Sequence, residues 1–131
     1  MPTFHFSKLV RDKMVDQQLA NGAKPRFRQL SPNEHKQALV DKIIEEAAEI
    51  THAPPDEIAG EIADVRQALD DLTELYGLTD ADIARAQSKK NDKNGPFKKG
   101  LFVDSVEVAD NNPWVEYYRK HPDRYPEVHS T

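Results

Sequence analysis

The sequence predicts a mainly α, single-domain bundle with minor extended segments. Three observations carry that prediction. Ile58, Ile62, Val65, Leu69, Leu72 and Tyr76 recur at spacings of 4, 3, 4, 3 and 4, the period of an apolar stripe on one helix face. Ser31-Pro32-Asn33-Glu34 joins a capping serine, a proline at the first helical position and a glutamate three residues after the cap, which together start a helix. Asn21-Gly22, Pro54-Pro55, Tyr76-Gly77 and Asn94-Gly95-Pro96 are stops of the kind that end helices.

Taken in order, Ser7 is positioned to cap a first helix over Lys8–Ala20. Pro25 to Leu30 reads as extended or loop. A second helix follows from Pro32 to about Thr51, and a third from about Asp56 to Tyr76. Thr79-Asp80-Ala81-Asp82 opens a fourth, which runs to Asn94. Leu101-Phe102-Val103, Val106 and Val108 alternate as a strand does, so Phe97–Val108 is expected to be strand-like. Trp114, Tyr117, Tyr118 and Tyr125 make the segment after Asn111 too aromatic for a freely disordered tail. A short helix is expected near Trp114–Lys120, packed on the body or on a second subunit.

Composition excludes several function classes. The 131 residues carry 18 Lys plus Arg against 23 Asp plus Glu, a net charge of −5, with 37% hydrophobic residues and no cysteine. Without cysteine there are no disulfides, thiolate metal sites, iron–sulfur clusters or cysteine nucleophile. The acidic balance argues against a general binder of nucleic-acid polymers. No apolar run approaches the roughly 20 residues of a membrane span. Met1-Pro2-Thr3-Phe4-His5 lacks the pattern of a secretory leader, so a cytoplasmic location is expected. His5, His35, His52, His121 and His129 are scattered without ligand spacing and receive no chemistry.

The chemistry concentrates in acids. Helix two holds Glu45, Glu46 and Glu49, and helix three holds Glu61 and Asp64. If Leu39, Ile43, Ala47 and Ile50 define the apolar face of helix two, Glu46 lies about 80° from its centre, Glu49 about 60° further round, and Glu45 nearly opposite the core. In an antiparallel hairpin turning at Pro55, residues equidistant from the turn meet. Glu49 and Glu61 are each six residues away, and Glu46 and Asp64 each nine. Four converging carboxylates repel one another without a cation, and oxygen-only donors suit Mg²⁺ or Mn²⁺ rather than zinc. A solvated acidic face is the competing explanation. It would normally mix lysines among the acids, yet no basic side chain lies between Ile43 and Gly60.

Glu45-Glu46-x-x-Glu49 followed by Glu61-x-x-Asp64 resembles the EExxE…ExxD pattern of the MazG-like all-α nucleoside triphosphate pyrophosphohydrolases. Lys8-Leu9-Val10-Arg11-Asp12-Lys13 is similar to the KLVRDKI opening of one branch, the phosphoribosyl-ATP pyrophosphohydrolase-like one. Lys89-Lys90-x-x-Lys93-Asn94-Gly95-Pro96-Phe97 is similar to that branch's KKxxKRGGF, with Asn94 where arginine is common and Pro96 where glycine is common. The resemblance covers about Lys8 to Val103. It implies a MazG-like helical bundle over residues 1–110, completed by oligomerisation as a homodimer or higher, with an aromatic tail over 111–131 for which it offers no counterpart. It further implies Mg²⁺-dependent cleavage of a nucleoside triphosphate between the α and β phosphates, in nucleotide-pool control or house-cleaning. Glu46, Glu49, Glu61 and Asp64 would be the metal ligands, and Glu45 would either orient the water, as a general base, or hold a second ion. A catalytically silent oligomeric binding module and a pyrophosphohydrolase of phosphoribosyl-nucleotides are the alternatives.

Phosphate chemistry also asks for cations. Lys8, Arg11 and Lys13 cluster at the expected start of helix one, where basic residues oppose the helix dipole and so suggest an anion nearby. An ion pair is the competing explanation. Lys89, Lys90 and Lys93 end helix four, where lysine also complements the dipole. With Asn94, they complete the expected substrate contacts. Phe97 either stacks on a base or anchors the core. Val40, Ile44 and Ala48 widen the apolar arc of helix two beyond a single contact, which supports the expected second subunit.

Overall fold

The computed structural model describes residues 1–129. Its helices are α1 (Met14–Ala20), α2 (Pro32–Ile50), α3 (Ile58–Leu75), α4 (Asp80–Asn94) and α5 (Trp114–Arg119), and no strand occurs among the described residues. The backbone groups into a unit from Met1 to Lys93 and a second from Asn94 onwards.

Local chemistry fixes α2 as the sequence predicts. Ser31 is extended (φ −64°, ψ 160°), its Oγ accepts the Glu34 amide at 3.3 Å, and the Glu34 carboxylate accepts the Ser31 amide at 3.2 Å. Such a reciprocal cap contributes about 1 kcal/mol. Beyond Ile50, Pro54 and Pro55 cannot continue a helix, and the chain turns over residues 51–57 into α3. Gly77, at φ 70°, closes α3 while the Leu78 amide donates to the Thr73 carbonyl at 3.1 Å. A second reciprocal cap opens α4: Thr79 Oγ1 accepts the Asp82 amide at 3.1 Å, and Asp82 accepts the Thr79 amide at 2.9 Å.

Two expected elements are corrected. The first helix does not begin at Lys8 but at Met14. Ser7 sits at φ 47°, outside the extended conformation an N-cap needs, and Lys8 to Lys13 stay irregular. Lys8 and Arg11 therefore do not share a helical face, and the dipole argument for an anion there falls away. The strand-like segment over Phe97–Val108 forms no strand either. Its Leu101, Val103 and Val106 are exposed, and a lone segment without a ladder partner gains no sheet hydrogen bonds.

In the first unit α2 and α3 pack along one another as an antiparallel hairpin, and no other pair of helices packs in this way. Among the described residues only Leu39 (3% exposed), Ala68 (6%) and Glu46 (7%) are buried. The face of α2 toward α3 is thus Leu39, Ile43, Glu46 and Ile50, and Ala47 is exposed: Glu46 takes the inward place expected for Ala47. On α3, Ile58, Val65 and Leu72 flank Ala68 on the inner face, while Ile62, Leu69 and Tyr76 are exposed. The expected seam spans two rows, and one helix partner covers only one of them.

In the second unit the rings of Trp114, Tyr117, Tyr118 and Tyr125 pack on each other with centroids 5.0–5.9 Å apart, and Arg119 Nε donates to Glu127 at 2.8 Å. The short helix stands where it was expected, one residue shorter. Ser130 and Thr131 of the expected tail lie outside the described residues. No helix of the described residues is long and apolar enough to cross a membrane.

Candidate metal centre

The hairpin brings the five acids together. Carboxylate oxygens of Glu45, Glu46 and Glu49 lie within 4.8 Å of one another, and so do those of Glu46, Glu61 and Asp64. Glu46 belongs to both groups. Its place inside the helix pair makes it the joint between an α2 triad and an α2–α3 triad. At about 100° per residue, Glu45, Glu49 and Asp64 turn to one broad face of the hairpin. Val40, Ile44, Ala47, Ile62, Leu69 and Tyr76 turn to the other. Lys36 Nζ, 4.5 Å from the Tyr76 ring centroid, ties the two helices together on that second face.

Glu61 carries the electrostatic strain of the cluster. The hydrogen-bonding contact with Glu46, then desolvation, then Glu49 push its carboxyl up from 4.5 to about 7. Two carboxylates at such range cannot both ionise freely. Among the described residues, Glu61 Oε2 is the one buried side-chain oxygen or nitrogen without a hydrogen-bond partner. Both observations, with a donor set made only of oxygens, fit a hard divalent cation. Around this group lie three cations. Lys8 Nζ is 3.2 Å from Glu45, Arg11 is 2.5 Å from Asp64, and Lys42 Nζ is 3.2 Å from Glu46 and 3.6 Å from Glu45. Lys8 above all, with Lys42, holds the Glu45 carboxyl below its usual range. Glu45 is consequently half-buried and paired, although its wheel position pointed to solvent.

The expected basic residues divide. Lys8 and Arg11 reach the acids, through ion pairs from an irregular segment rather than from a helix start. Lys13 is exposed at the N-cap of α1. Lys89, Lys90 and Lys93 are exposed on the last turns of α4, which contributes no contact to the acid cluster. Asn94 and Phe97 fall in the second unit, both exposed, so Phe97 is not a core anchor within it. Two residues escaped the sequence. Lys42 stands one position before the lysine-free stretch, one turn from Glu45 and Glu46, a spacing that could have revealed it. His52 lines an open hollow of about 310 Å³ at the turn, together with Ala48, Glu49, Ala53, Pro54, Glu57 and Glu61.

Comparisons with protein-family models, with curated proteins and with solved structures found no match to this chain.

Proposed function

We propose that the chain is a nucleotide pyrophosphohydrolase of the MazG-like kind, dependent on Mg²⁺ or Mn²⁺. The observation that carries this function is the pair of carboxylate triads joined at Glu46. Glu46, Glu49, Glu61 and Asp64 would hold the cation, and the unpartnered Oε2 of Glu61 fits that use. When bound, such an ion polarises phosphate oxygens, acidifies the attacking water and offsets charge in the transition state. The remaining work belongs to the chain's own side chains. Glu45, which stays beside Lys42 when Lys8 turns to the substrate, takes the proton of the water as its oxygen bonds to the α-phosphorus. The α–β anhydride bond breaks, and pyrophosphate leaves with the bridging oxygen. Lys8 and Arg11, at the rim on Glu45 and Asp64, exchange those carboxylates for phosphate oxygens of the substrate. The hollow beside Glu49 and Glu61 is of a size for the non-phosphate part of a small ligand. A second copy of the chain covers the exposed row Val40, Ile44, Ile62 and Leu69, because one hairpin with three buried residues makes a thin core.

The test is a panel of nucleoside triphosphates and phosphoribosyl-nucleotides, incubated with Mg²⁺, Mn²⁺ or EDTA. Phosphorus NMR should show a monophosphate and pyrophosphate, dependent on the cation and lost in Glu46→Gln. Undiminished turnover in EDTA, or turnover retained in Glu46→Gln, Glu49→Gln, Glu61→Gln and Asp64→Asn alike, would overturn the assignment. Silence toward the whole panel would favour a binding module.

A further inference from the structure

We propose that Lys42 is a positioning residue of the carboxylate site: its ammonium clamps Glu46, the acid shared by the two triads, and fixes which of its oxygens faces the other acids. The proposal rests on the divalent-cation function above. Lys42 lies on the same helix as its partners, at i, i+3 and i, i+4, with Nζ 3.2 Å from Glu46 Oε1 and 3.6 Å from Glu45 Oε2. Its side chain is 22% exposed, against 45% for Lys8 and 62% for Arg11. The other two cations belong to an irregular segment and can move away from their carboxylates. Lys42 is held by α2 one turn from both of its partners. By occupying Glu46 Oε1 it leaves Oε2 as the oxygen free of an ammonium, and the carboxylate plane no longer rotates between equivalent positions. Among the described residues, a glutamate in the inner row of Leu39, Ile43 and Ile50 has no other basic partner to orient it. Groups that orient a ligand in this way typically contribute 10–100-fold to metal affinity.

A positioning role and a mere counter-charge predict opposite signs, which makes the test decisive. Removing a positive charge 3.2 Å from a ligand oxygen strengthens cation binding if charge is all that matters. It weakens binding if orientation matters more. Mn²⁺ is titrated into the full-length protein and followed by electron paramagnetic resonance, with circular dichroism on every variant. Lys42→Met should bind Mn²⁺ roughly 10–100-fold more weakly than wild type, and Lys42→Arg, which keeps charge and donors, should retain most of the affinity. Lys42→Gln gives the same measurement should Lys42→Met fail to fold. Equal or tighter binding by Lys42→Met, beside a Glu46→Gln variant that has lost Mn²⁺, overturns the positioning role and leaves the cation site standing. An equal loss in Lys42→Arg and Lys42→Met also overturns it, because the packing of the chain and not the ammonium would then be at work. Unchanged affinity in Glu46→Gln removes the cation site itself, and the role of Lys42 with it.

Discussion

Glu61 gives the acid cluster a pH signature that can be measured without substrate. Its carboxyl is pushed up from 4.5 to about 7, mainly by Glu46 and by desolvation. The perturbation is pH itself, set against the variant Glu61→Gln. Below about pH 4.5 the group is protonated in both folded and unfolded chains, and the stability it contributes is fully present. Between 4.5 and 7 the folded protein keeps a proton that the unfolded chain has lost, so stability falls as pH rises. Above 7 the loss is complete and the slope flattens. At pH 6 the folded group holds about 0.9 proton and the unfolded one almost none, so unfolding releases about 0.9 proton; at pH 8 it releases about 0.1. The carboxyls held low, Glu34 by Ser31, Glu45 by Lys8, Asp82 by Thr79 and Glu127 by Arg119, act with the opposite sign. Their stability is lost only as pH falls through their lowered values, outside this window. Thermal unfolding of metal-free protein in EDTA, followed by circular dichroism from pH 5 to pH 8, should therefore show a melting temperature that declines to about pH 7 and then levels. Glu61→Gln should remove that decline and melt above wild type at pH 8, where it relieves carboxylate repulsion. A variant with the same downward slope as wild type would refute the reasoning, since the proton would then sit elsewhere.

The same proton should leave when a cation arrives: Mn²⁺ binding at pH 6, measured calorimetrically in buffers of different ionisation enthalpy, should release close to one proton, and at pH 8 almost none. Leu39→Ala should lower the free energy of urea unfolding by about 3 kcal/mol, because Leu39 is the one large aliphatic side chain buried among the described residues; a loss under about 1 kcal/mol would mean that the core lies elsewhere. Ile44→Glu with Leu69→Glu should shift the light-scattering mass from an oligomer to a single chain while the helices remain, and a wild-type protein that is monomeric at micromolar concentration would refute the second copy.

Much of the fold was legible because its signals are local. Ser31-Pro32-Asn33-Glu34 and Thr79-Asp80-Ala81-Asp82 carry their own hydrogen-bond partners within four residues, so α2 and α4 begin where the sequence says. The acid cluster was legible for a different reason: counting outward from Pro55 pairs residues across any antiparallel hairpin, and Glu46 does meet Asp64 and Glu61. Apart from Lys42, whose spacing is local, the misses are non-local. Lys8 to Lys13 stay irregular, and Lys8 and Arg11 pair instead with Glu45 and Asp64, 37 and 53 residues away in sequence, which no window-based pattern contains. Leu101 to Val108 has a strand's alternation, but a strand exists only with a neighbour.

The rotation of α2 links the site to the thin core. An apolar count places Ala47 inward, whereas the structure places Glu46 there, 7% exposed. The inner row of α2 keeps Leu39, Ile43 and Ile50 and centres about 25° from the predicted apolar face, a small turn that brings Glu46 in and leaves Val40, Ile44 and Ala47 out. A charged group in that place is tolerable only with a partner of opposite charge, and Lys42 is the one basic residue on α2 that reaches it. The inner row thereby gives up a position that an aliphatic side chain would fill, and the outer row gains apolar surface that its own chain leaves exposed. The inward Glu46, its ion pair with Lys42 and the exposed apolar row therefore follow from a single choice of helix face. A substitution such as Glu46→Leu should raise the melting temperature of the metal-free chain, followed by circular dichroism, at the expense of Mn²⁺ binding.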